Sequence, residues 1–172
     1  PVLMARLRTA LPGCEIKVDT QPIFSNLHRM LCTEVDAALY PPFRPMQDEV
    51  VYTPILHNHC YLVAGPEHPL HGWAALHLAD LTRQRIFYEP VYGEIVQFLR
   101  TQPGMPFHAP DWLQADSYEA CYSDLLAGRC LFFSSILYPA FPKDWYLPLE
   151  LPIPIPDTCL LTLRDDPRPE IQ

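Results

Sequence analysis

The chain has 172 residues, 49% of them apolar and 12% aromatic, with 20 acidic residues against 12 basic and a formal net charge of −8. That apolar content can build a core without disulfide staples. The acidic balance repels phosphate backbones, so this segment is a poor nucleic-acid binder, and no run approaches the roughly eighteen apolar residues of a membrane span. No signal peptide is visible, but the sequence opens at Pro1 without Met, so localisation cannot rest on the N-terminus.

In chain order, "VLMARLRTALPG" spaces Val2, Leu3, Leu7 and Leu11 for a helix that stops at Pro12-Gly13. "CEIKVDT" alternates apolar Cys14, Ile16 and Val18 with polar neighbours, the pattern of a strand with one buried face. "PIFSNLHRMLCTE" returns to helical spacing through Phe24, Leu27 and Leu31. "VDAALY" reads as a short strand buried on both faces. Strand, helix, strand in this order predicts a right-handed crossover and a mainly parallel sheet. "EVVYTPIL" and "NHCYLVAG" are two further β-type runs.

After Gly65-Pro66 the pattern resets. "RIFYEP" predicts a strand, and "YGEIVQFLRTQPG" a helix closed by Pro103-Gly104. "PFHAPDWLQAD" is extended. "DSYEACYSDLLAGR" predicts a helix opened by an Asp116/Glu119 capping box and closed at Gly128. "CLFFSSIL" is a fully apolar strand. In "YLPLELPIPIPDTCLLTLRDD" the prolines keep the chain extended and exclude a central strand before Thr158 to Leu163. The 21 prolines, more than twice the average usage of about 5%, mark the loops.

Two α/β blocks followed by one unpartnered strand predict two lobes. The last strand returns to the first lobe, with chain crossings near Val63–Gly65 and Pro154–Asp157. Lobe I is residues 1–64 plus 157–172, lobe II is residues 65–156, and a small ligand is expected between them.

"PVLMARLRTALPGCEIKVDTQPIFSNLHRMLCTEVDAAL", "CYLVAGPEHPL", "LHLADL" and "DLLAGRCLFFSSIL" resemble, in order and spacing, the effector-binding domain of LysR-type transcriptional regulators. The resemblance spans nearly the whole chain. It implies an α/β, type 2 periplasmic-binding-protein-like fold with a double-crossover hinge, and a small-molecule inducer in the inter-lobe cleft. It also implies a cytoplasmic homodimer, tetrameric in the full-length protein, which meets DNA only through a winged helix-turn-helix that this chain lacks. The alternative on the same fold is the solute receptor of a membrane transporter. Three departures stand out: the strand that usually precedes the first helix is missing, the family's common Gly after the second helix is Thr33, and "RPEIQ" falls short of the usual closing helix. The first lobe is therefore expected to be incomplete at both ends.

By position, the resemblance implies effector contacts at Gln21 and Pro22 where the second helix begins, and at Tyr40 and Pro41 after "VDAAL". In lobe II it implies Tyr88, Glu89 and Tyr92, then Phe133 and Ser134. An ionised Glu89 in the cleft would disfavour a carboxylate effector and favour a cationic or hydroxylated aromatic one.

Other chemistries are weighed against this. "HNHCYLVAGPEHPLHGW" (57–73) holds four histidines and a cysteine. His57, His59 and Tyr61 share one strand face, but His68, His71 and His77 have no fixed spacing to them, so no metal site or cofactor is expected. Ser134 and Ser135 lack a GxSxG elbow, which argues against an enzyme. The six cysteines form no CxxC pair and read as reduced thiols. Peroxide-sensing relatives place a reactive Cys shortly after the strand matching "RIFYEP"; here "YEPVYGEIVQF" has none, and a thiol switch at Cys121 or Cys130 is left open.

Overall fold

A computed structural model describes residues 8–10, 12–17, 19, 28–43 and 46–166. By packing, the chain divides into two compact units. The first comprises Pro1–Tyr40, Met46–Thr53 and Cys159–Gln172, and the second Pro41–Pro45 and Pro54–Thr158.

The first unit is built on a three-stranded sheet of β1 (Ala37–Tyr40), β2 (Val50–Leu56) and β9 (Thr158–Leu163), in the order β1-β9-β2. β1 runs antiparallel to β9, from Ala37 opposite Thr162 to Tyr40 opposite Cys159. Ala38 and Tyr40 point into a core with Met30, Val50, Cys159 and Leu161, while Ala37 and Leu39 point outward. "VDAALY" is thus buried on one face, not two. Residues 14–17 of "CEIKVDT" form no strand, and Glu15 pairs with Lys17 in solvent at 3.1 Å. The parallel crossover expected from that stretch is therefore replaced by antiparallel pairing with the distant β9. Residues 8–10 and 28–31 are helical; the apolar positions Leu3, Leu7, Leu11, Phe24 and Leu27 lie outside the described residues.

The second unit holds a six-stranded sheet. Its strands are β3 (Tyr61–Ala64), β4 (Leu76–His77), β5 (Arg85–Tyr88), β6 (Asp111–Gln114), β7 (Leu131–Ser134) and β8 (Tyr146–Glu150), in the order β4-β8-β3-β7-β5-β6. β5 is parallel to both β6 and β7, whereas β3 is antiparallel to both β7 and β8. Because β3 pairs here, residues 61–64 belong to the second unit, and the boundary expected at residue 64 falls at Thr53–Pro54 instead. The return crossing falls at Thr158–Cys159.

β8 departs from expectation, since the proline spacing of this stretch predicts no central strand before Thr158. Leu149 N–H donates to Cys60 O on the β3 side, so the neighbouring Pro148 nitrogen faces the β4 side. There β4 meets β8 only at Leu149 and Glu150, and the missing donor breaks no ladder bond.

Both faces of this sheet are covered, which is why β7 is wholly apolar up to Ser134 and fully buried. One face packs Leu62, Ile86, Leu131 and Phe133 against Ile95, Val96 and Leu99 of α1 (Gly93–Arg100). The other packs Val63 and Phe132 against Cys121, Leu125, Phe141 and Trp145. Leu125 lies on α2 (Tyr122–Leu126), which follows a 3-10 turn over Tyr118–Cys121. The N-cap of that turn is Ser117, one residue beyond the Asp116 expected to open it.

Candidate functional site

Since β5, β6 and β7 are parallel, their carboxyl ends share one edge of the sheet, the edge at which parallel α/β sheets take ligands. Tyr88 ends β5 and Glu89 follows it, and Phe133 and Ser134 end β7. Ala115 follows β6 and donates its N–H to Tyr88 O at 2.9 Å. Five of the nine residues expected to contact an effector thus gather at one strand edge.

Their chemistry differs. Tyr88 is half-buried and edge-on to Trp112, ring centroids 6.4 Å apart. Glu89 is half-buried, and its Oε2 accepts a 2.6 Å hydrogen bond from the Tyr138 hydroxyl. The Tyr92 hydroxyl lies 3.5 Å from that of Tyr138, and its ring stands edge-on to Phe133 at 5.4 Å. Phe133 and Ser134 are fully buried. The Ser134 hydroxyl donates to Ile136 O at 2.6 Å and accepts from Ile136 N–H at 3.1 Å, closing a local turn. Phe133 is therefore a wall behind Tyr92, and Ser134 has its hydroxyl engaged by its own chain.

The other four residues lie elsewhere. Tyr40 is 3% exposed in the core of the first unit, and Pro41 is buried in the second. Gln21 and Pro22 lie outside the described residues.

Tyr138 and Tyr118 escape the sequence reading. Tyr138 sits in the loop after β7, 49 residues from Glu89 in sequence, and only the fold brings the two side chains together. Tyr146 holds it: the Tyr146 hydroxyl accepts Tyr138 N–H at 2.6 Å and donates to Tyr138 O at 3.2 Å. The Tyr118 ring stacks obliquely on Tyr138 at 5.6 Å. Burial, then the bond to Glu89, pushes the Tyr138 phenol far above the ordinary tyrosine range. Tyr118 is also raised, first by its hydrogen bond to Glu119. Both phenols are neutral donors near pH 7.

The histidines of "HNHCYLVAGPEHPLHGW" are engaged within the protein. His57 Nδ1 lies 2.7 Å from Asp157 Oδ1, and the His57 and His59 rings meet edge-on at 4.9 Å. His68 is buried, accepts Leu70 N–H at Nδ1 at 3.2 Å, and has its pKa lowered chiefly by burial. His71 Nδ1–H donates to Ala64 O at 3.0 Å. No metal-binding cluster occurs among the described residues. All six cysteines are free; burial pushes the Cys60 thiol up to about 12. No helix among the described residues is long and apolar enough to cross a membrane.

Each unit also has a cavity of about 340 Å³, one including Thr33, Asp36 and Glu49, the other His77, Gly104 and Glu150. Neither includes an expected effector contact. Trp112 Nε1 is the only buried side-chain N or O atom without a partner among the described residues.

A two-unit α/β chain with an aromatic, carboxylate-bearing strand edge fits a ligand-binding domain of the type 2 periplasmic-binding-protein-like class. The family description "LysR substrate binding domain" matches residues 1–172, so the chain belongs to that family, which is regulatory and not enzymatic. Among solved structures, it is similar to full-length BenM carrying an E226K mutation (TM-score 0.78, 15% identity, covering 99% of this chain and 58% of that one). It is similar to the BenM effector-binding domain with its effector benzoate (0.74, 15%, 99% and 80%). It also resembles HinK, a LysR family transcriptional regulator from Pseudomonas aeruginosa (0.69, 16%, 96% and 58%). At such identities the likeness is one of fold. The chain spans about three fifths of the length of the first solved structures it matches. No curated protein matches it. The family match favours a domain of a LysR-type regulator over the solute receptor of a transporter.

Proposed function

We propose that this domain is the ligand-sensing module of a cytoplasmic LysR-type regulator. It takes a small-molecule inducer and passes the binding event, through the geometry of a homodimer, to DNA-binding domains outside this chain. In the second unit the inducer would meet Tyr88, Glu89 and Tyr92, backed by Phe133 and Ser134. The resemblance adds Gln21, Pro22 and Tyr40, which belong to the first unit, and Pro41, which belongs to the second. The observation that carries this reading is the hydrogen-bonded Glu89–Tyr138–Tyr92 group at the carboxyl ends of parallel strands, in a chain whose family binds effectors. That a structural neighbour holds benzoate supports a small organic molecule as the ligand class. The net charge of −8 supports leaving DNA contact to another domain.

A thermal-shift screen against a metabolite library tests the proposal. A true inducer raises the melting temperature in step with its concentration. Glu89→Gln or Tyr88→Ala should weaken that shift by about tenfold in apparent affinity. A hit whose affinity ignores both substitutions places the ligand elsewhere and rejects the site.

A further inference from the structure

Resting on the reading that the inducer meets this strand edge, we propose that the ligand taken there is an organic cation, an amine on an aromatic frame, received by Glu89 among Tyr92, Tyr118 and Tyr138. Glu89 is half-buried and has no ion-pair partner among the described residues; its one described side-chain bond is the one it accepts from Tyr138. An ionised carboxylate has about four lone-pair positions, so most of its accepting capacity is unused. An ammonium group supplies three donors and the missing charge together.

The surroundings favour the same sign. The carboxylates acting on the Tyr118 and Tyr138 phenols are Glu89 and Glu119. An incoming anion would face these acids, with Glu89 already half-desolvated. The walls are aromatic: Tyr138 lies against Tyr118 at 5.6 Å and Phe132 at 6.2 Å, and Tyr92 against Phe133 at 5.4 Å. Ring faces carry negative potential and attract cations, most strongly where water is partly excluded. The neutral phenols add donors for a hydroxyl or carbonyl elsewhere on the ligand without adding charge. Carboxylate, aromatic faces and neutral hydroxyls together select a protonated amine over an acid of equal size.

The test uses two probes alike in ring and hydroxyl and opposite in charge, tyramine and 4-hydroxyphenylacetate, titrated into the whole chain with tyrosine-ring NMR as readout. Tyramine is expected to shift the Tyr92, Tyr118 and Tyr138 resonances and bind at least roughly tenfold more tightly than the acid. Glu89→Gln should erase that preference. Tyr138→Phe, which keeps the carboxylate, should retain it, so the charge is tested even if one variant folds poorly. If the acid binds as well or better at these same tyrosines, the cation is overturned while the site stands. If neither probe moves any of these rings at millimolar concentration, both the cation and the site are overturned. Preference for tyramine that survives Glu89→Gln also overturns the proposal.

Discussion

Two helices, one in each unit, end in the same turn, one with threonine and the other with glycine at the left-handed position. In the first unit, Thr33 N–H bonds Met30 O at 2.9 Å and Glu34 N–H bonds Arg29 O at 2.8 Å. In the second, Gly128 N–H bonds Leu125 O at 3.0 Å and Arg129 N–H bonds Asp124 O at 2.9 Å. Both are Schellman closures, with a left-handed residue at φ 60° (Thr33) or 65° (Gly128) and a fully buried Met30 or Leu125 three positions before it. Both are braced by a pair five residues apart, Arg29–Glu34 and Arg129–Asp124.

What separates them is room. Thr33 is exposed, so its Cβ costs only backbone strain. A Cβ on Gly128 would lie 2.5 Å from the Glu67 carbonyl, and one on Gly65 would lie 2.0 Å from Leu125 O. Glycine is thus needed at Gly128 for conformation and for contact with the 65–68 loop. At Thr33 only conformation is at stake, and a β-branched residue is tolerated.

The largest test of this comparison is Gly65→Ala or Gly128→Ala, each expected to cost at least about 3 kcal/mol in the second unit. All three tryptophans, Trp73, Trp112 and Trp145, lie in that unit, so their fluorescence during urea unfolding reads it directly. An unchanged midpoint would break the packing half of the argument.

The same loop carries buried His68, whose pKa lies below its ordinary value. The unfolded chain therefore takes up the proton first. The stability His68 contributes is present above about pH 6.5 and is lost as pH falls below it, by at most about 1.4 kcal/mol per pH unit. His68→Asn should flatten the tryptophan-detected slope between neutral and mildly acidic pH, and an unaltered slope assigns it to another group. Tyr138→Phe removes the bond to Glu89 and should cost about 1 kcal/mol by the same fluorescence. Smallest, and opposite in sign, Thr33→Gly should stabilise the first unit by somewhat under about 1 kcal/mol. Slower amide exchange at Leu161 would register it, and faster exchange would contradict the strain.

Strong local patterns were legible. α1 followed from its helical spacing, and β7 from an apolar run that only a sheet covered on both faces can bury. What could not be read depended on distant partners. The unit to which β3 belongs does not follow from local pattern, because Tyr61–Ala64 is placed by Leu131–Ser134, about seventy residues on. β8 is hidden in the sequence because the harmlessness of Pro148 depends on how short β4 is. "CEIKVDT" alternates like a strand, but residues 14–17 do not pair. At the candidate site, the resemblance nominates Tyr88, Glu89 and Tyr92 by position; the Ser134 hydroxyl is engaged by its own turn, and Tyr138, 49 residues from Glu89, carries no local signal in the sequence.

The most direct test of the ligand-sensing account is a tyrosine-labelled NMR titration of the chain with whichever metabolite stabilises it most. Movement of Tyr88, Tyr92 and Tyr138 together, saturating at the affinity of the thermal shift, is the predicted result. Saturating shifts confined to residues beside the Thr33–Asp36–Glu49 cavity, with those three rings still, would contradict it.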